Sequence, residues 1–67
     1  MKPVIVIHDY YENIYITLGK AIDALVQAGQ ELQVETLVAK FCKHCESHGQ
    51  CMDIISHFVD IIEEQPV

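Results

Sequence analysis

The stretch that most constrains this chain is Leu18-Gly19-Lys20-Ala21-Ile22-Asp23-Ala24-Leu25-Val26-Gln27-Ala28-Gly29. Its apolar residues fall at Leu18, Ala21, Ile22, Leu25 and Val26, the i, i+3, i+4, i+7 spacing of one helix face. Gly29 stands where such a helix stops, because Gly enters the left-handed conformation after a helix at little cost. Gly19 is out of keeping with a helix interior, where glycine costs about 1 kcal/mol relative to Ala. It is expected to form a notch in a packing face, where another helix comes close. Nothing in this segment can do chemistry, and the stretch points to an interaction protein.

The chain has 67 residues, enough for one domain. A chain this short buries only about 60% of its unfolded surface. Hydrophobic residues make up 51% of it, more than so small an interior can absorb. The surplus is expected to face a partner, most simply a second copy in a homodimer.

The formal net charge of −6 speaks against nucleic acid as a direct partner. The only basic side chains besides histidine are Lys2, Lys20, Lys40 and Lys43, too few and too scattered to neutralise a phosphate backbone. The same charge disfavours an anionic membrane surface. It suits a basic patch on a regulatory protein partner. Val4 to Ile7 is too short for the apolar core of a signal peptide, and no apolar run reaches the ~20 residues of a membrane-spanning helix. Cys42, Cys45 and Cys51 are odd in number, which fits reduced thiols and a cytoplasmic location.

Residues 1–8 read as an extended N-terminal arm, and 9–67 as one helical domain. Val4-Ile5-Val6-Ile7 is β-branched throughout and favours an extended backbone, with no partner strand apparent in the chain. Asp9-Tyr10-Tyr11-Glu12 reads as a capping box, with a helix from there to about Ala28. Tyr11, Ile14, Leu18, Ala21, Ile22 and Leu25 form its inner stripe, widened by Tyr15 and Ile16. A stripe this wide suits a helix held between its own domain and a second subunit. The dimer contact is therefore placed on Tyr11, Ile14, Tyr15, Leu18, Gly19, Ile22 and Leu25. A second helix is expected from about Val34 to Ser47, with Val34, Leu37, Val38, Phe41 and Cys45 inward, and Gly49 ending it. A third is expected from about Cys51 to Glu64, with Met52, Ile55, Phe58, Val59 and Ile62 inward and Pro66 closing it. The fold class is thus all-α: three helices and an arm, completed as a helical homodimer.

The Cys/His segment offers one possible metal set, Cys42, Cys45, His48 and Cys51, all soft zinc ligands. Residues three apart on a helix turn by about 300°, so four such ligands in a row drift around the axis. Packing and surface roles are the simpler assignment, and no metal or cofactor is expected. Cys42 and Cys45 lie late in a helix, where the dipole opposes the thiolate that redox catalysis needs. His44 and His48 stand one turn apart and could respond to acid as a pair, although solvent-facing roles suffice. No serine sits on a Gly-rich elbow, and no cysteine is set against a His/Asn pair, so no enzyme is expected. Asp23, Asp53, Asp60 and Glu63 read as an acidic rim that contributes to partner choice.

The pattern Leu18-Gly19-x-Ala21-x-x-x-Leu25-x-x-x-Gly29 resembles the YmgB/AriR family of small enterobacterial biofilm and acid-resistance regulators. The similarity runs on through Leu32, Leu37, Val38, Phe41 and Cys45 to Glu46, and resumes along Asp53 to Ile62. It covers roughly the last three quarters of the chain. The resemblance implies a small α-helical homodimer with a fold similar to Hha-type modulators of nucleoid proteins. It also implies a cytoplasmic connector that modulates a signalling phosphorelay controlling biofilm formation and acid resistance. Two other functions share parts of this outline. One is a ribbon-helix-helix DNA-binding dimer, whose ribbon would need polar side chains that Val4-Ile5-Val6-Ile7 lacks. The other is a metal- or thiol-responsive switch built on Cys42, Cys45 and Cys51.

Overall fold

A computed structural model describes residues 1–64. Five elements follow in the order β1 (Val4–Ile7), α1 (Ile14–Gln27), α2 (Glu31–His44), α3 (His48–Ser56) and β2 (Asp60–Glu63). The chain is mostly helical, as its periodicity implies, but it is not all-α. β1 and β2 form a two-stranded parallel sheet with Ile5 opposite Ile61 and Val6 opposite Ile62. Residues 1–8 are therefore not a free arm, and β1 finds its partner inside the chain.

The correction begins where α3 ends. The apolar spacing of Met52, Ile55, Phe58, Val59 and Ile62 extends a helix to Glu64, yet α3 stops at Ser56. His57, Phe58 and Val59 close it with backbone bonds back to Ile54 and Ile55. Val59, Ile61 and Ile62 are β-branched and pack well on a pleated surface. Asp60 N–H donates to the Pro3 carbonyl at 2.9 Å, and Glu64 N–H to that of Ile7 at 2.8 Å. Pairing of parallel strands requires a long crossover, which the three helices supply.

The other helix ends moved for local reasons. Asp9 and Glu12 form a turn instead of a helix cap: Tyr11 N–H donates to the Asp9 carboxylate, and Glu12 N–H to the Asp9 carbonyl. Asn13 caps α1 instead, its side-chain oxygen accepting from Tyr15 N–H at 2.9 Å. Gly29 ends α1 as expected, at φ +74°. α2 then starts three residues earlier than the apolar spacing suggests and stops at His44, because Cys45 leaves the helix with extended backbone. Gly49 does not end α2. It lies in the first turn of α3, which Ser47 caps by accepting from Gln50 N–H.

One core joins these elements. Ile5 and Ile7 from β1 meet Ala21 and Leu25 from α1, Leu37 and Phe41 from α2, and Cys51, Met52 and Ile55 from α3, with Phe58 and Val59 closing it. The inner face of the sheet rests on the helices. Its outer face, with Val4, Val6 and Ile62, is open to solvent. Thr17 is a core residue that apolar counting passes over. It is fully buried, and its hydroxyl donates to Glu12 at 3.2 Å. Lys20 pairs with the same carboxylate at 3.4 Å and also donates to the Val6 carbonyl, so Glu12 ties the loop after β1 to α1.

Candidate functional site

α1 and α2 meet along a solvent-open groove lined by Tyr15, Leu18, Val38, Phe41, Cys42 and Cys45. The helical repeat places Tyr15 and Leu18 on one wall, and Val38, Phe41 and Cys42 on the other. The rings of Tyr15 and Phe41 lie 6.0 Å apart. Phe41 is buried, but Tyr15 is 70% exposed and Val38 37% exposed, so the rim is apolar and wet. Such a surface can hold an apolar partner surface. Its one reactive side chain among the described lining residues is the free thiol of Cys42.

Cys45 also lines this groove. It is disulfide-bonded to Cys51 of α3, with Cα atoms 4.8 Å apart. Cys42 is free and exposed. The pairing corrects the expectation of three reduced thiols. It was hidden because the apolar spacing carries α2 through Cys45, whereas the chain breaks there and turns back at Ser47. The possible zinc set is also rearranged. Cys45 and Cys51 are joined to each other, and His48 turns to Tyr10, donating from Nε2 to the Tyr10 carbonyl. The rings of Tyr10 and Tyr11 flank the same imidazole, at 5.1 and 5.5 Å between centroids. Among the described residues no three His, Cys, Asp or Glu side chains are grouped to hold a metal ion.

The residues assigned to a dimer contact separate into three kinds. Tyr11, Tyr15 and Gly19 are exposed, and Ile14, Leu18 and Ile22 are half-buried. Leu25 is fully buried in the chain's own core. At Gly19 no atom of the described residues beyond its own helix turn and chain neighbours lies within 4 Å of where a Cβ would stand, so among the described residues no other helix approaches the notch.

The four acidic residues do not form one rim. Asp23, on α1, accepts from Gln27 and lines a pocket beside Val4 and Val6. Asp60 and Glu63 lie at opposite ends of β2, not on a helix. Asp53 and Glu63 share a second pocket with Ile7, Tyr10, Met52 and Ile61, at the carboxyl ends of the two strands. Three lysines are engaged within the chain: Lys20 as above, Lys2 on the Ser56 carbonyl, and Lys40 over the Phe58 ring. No helix among the described residues is long and apolar enough to cross a membrane.

No protein-family model, curated protein or solved structure matches this chain.

Proposed function

We propose that this chain is a non-enzymatic regulatory connector that acts by docking. It is read as a homodimer joined through the exposed face of α1, with the acidic residues outside the contact choosing a basic protein partner. The observation that carries the reading is the α1/α2 groove, whose rim exposes Tyr15 and Val38 beside Leu18. Exposed apolar side chains gathered in this way mark contact surfaces more often than catalytic ones. A net charge of −6 favours a basic protein surface over phosphate. The resemblance to the YmgB/AriR regulators supplies the setting: a cytoplasmic protein that modulates a signalling phosphorelay controlling biofilm formation and acid resistance.

Light scattering over a dilution series, on the wild-type chain and on Tyr15→Glu, tests the first half of the reading. Dimers at low micromolar concentration that dissociate in the variant, with helicity retained, are expected. A wild-type monomer at every concentration removes the dimer. Capture from cytosol, run beside duplex DNA binding at physiological salt, tests the second half. Tight sequence-dependent DNA binding with no protein recovered replaces the connector by the DNA-binding reading.

A further inference from the structure

We propose that Cys42, Cys45 and Cys51 form an intramolecular thiol–disulfide exchange switch, in which Cys42 takes Cys45 from Cys51 and unclasps α3 from α2. The step goes beyond the docking reading and holds or fails whatever occupies the groove.

Four observations place the parts. Cys45 and Cys51 are already joined, and Cys42 is the free, exposed thiol. Cys42 and Cys45 line the same groove. They are three residues apart at the end of α2, where helical geometry sets Cα atoms about 5 Å from each other, within the range a disulfide spans. Cys45 is also the residue at which the helix lets go. Its N–H still donates to the Phe41 carbonyl, but its ψ of 92° is extended. A sulfur at this hinge can face α3 or the preceding turn of α2.

The exchange balances without an outside oxidant. Cys42 gives its proton to solvent, and the thiolate attacks Sγ of Cys45. The Cys45–Cys51 bond breaks as the Cys42–Cys45 bond forms. The electron pair leaves on Sγ of Cys51, which takes up a proton. The number of disulfides is unchanged. What changes is the link between elements: the covalent tie from the end of α2 to α3 becomes a tie within α2, on the groove wall. Cys51, 3% exposed, is left as a buried thiol, an environment that suits cysteine as a small apolar residue.

The lysines make the test simple. Trypsin cleaves after Lys40 and Lys43, releasing Phe41-Cys42-Lys43 from the peptide that carries both Cys45 and Cys51. The full chain, oxidised to one disulfide with diamide, is held at pH 8, quenched in acid, unfolded and labelled with N-ethylmaleimide before digestion. Label moving from Cys42 to Cys51, as the two peptides become disulfide-linked, is the expected result. It should proceed at a rate independent of protein concentration and be abolished in Cys42→Ser, which keeps the Cys45–Cys51 bond. Label that stays on Cys42 over hours overturns the proposal. So do label on Cys45, linkage that appears only as covalent dimers, or a chain that diamide does not oxidise to the Cys45–Cys51 form.

Discussion

Gly19 and Gly29 carry the same side chain and opposite demands. Gly29 has φ +74°, a conformation that costs an L-residue about 1–2 kcal/mol. Gly19 is helical with open space where a Cβ would stand. Gly29→Ala should therefore lower stability by about 1 kcal/mol, and Gly19→Ala should raise it by about as much through helix propensity. Thermal unfolding separates them, since 1 kcal/mol moves the melting temperature of a domain this size by about 4–8 °C. Equal signs would mean that the surroundings of one glycine are misjudged. Thr17 makes the complementary point about polar residues. It stands one turn before Ala21 and two before Leu25, on the buried stripe, and is paired to Glu12. Its place was legible from spacing but masked by its hydroxyl. Thr17→Val keeps the shape and removes the donor, and should cost about 1 kcal/mol in denaturant unfolding.

Among the elements, the helices were legible and the second strand was not. α1, α2 and α3 each carry a 3.6-residue apolar repeat that survives errors of several residues at either end. β2 is four residues long and lies where a helical repeat from α3 runs on in register through Ile55, Val59 and Ile62. Only pairing with β1 separates the two conformations, and pairing is a contact across more than fifty residues of chain. Asp60→Pro tests the assignment. It removes the N–H that donates to Pro3 and should cost about 1–3 kcal/mol, whereas Asp60→Asn should stay within about 0.5 kcal/mol of wild type. Were Asp60–Glu63 helical in solution, the amides of Ile61 to Glu64 would exchange with those of α3 instead of with β1.

For the molecule as a whole, the disulfide and the open surfaces matter most. Cys45–Cys51 closes a short loop, with a sequence separation of 6, for which the chain-entropy account gives about 2 kcal/mol. In a chain of this size, whose core is small, that is a large share of the stability. Full reduction should lower the melting temperature by several degrees, in wild type and in Cys42→Ser alike; no change on reduction would mean that the clasp contributes nothing to the fold. On the proposed docking reading, the acids would act only through the surfaces on which they lie. Charge reversal at Asp60 and Glu63 now probes the two ends of a strand. Paired reversal should slow association with a basic partner and weaken its salt dependence, leaving helicity intact. Stopped-flow binding at two ionic strengths reads this directly, and salt-independent rates for wild type would discard the acidic contribution.

The sequence by itself determined what is local. Three helical segments, the stop at Gly29, the extended character of Val4 to Ile7 and an acidic surface short of cations all follow from side chains within a turn or two of each other. The tertiary structure alone decided which distant segments meet. It paired Val4–Ile7 with Asp60–Glu63, brought Cys45 to Cys51 while leaving Cys42 free, and set Tyr15 and Leu18 across from Val38 and Phe41. The physical reason is that periodicity reports which face of an element is apolar, not what covers it. In a core this small, a single break in a helix at Cys45 or Ser56 redirects every contact that follows.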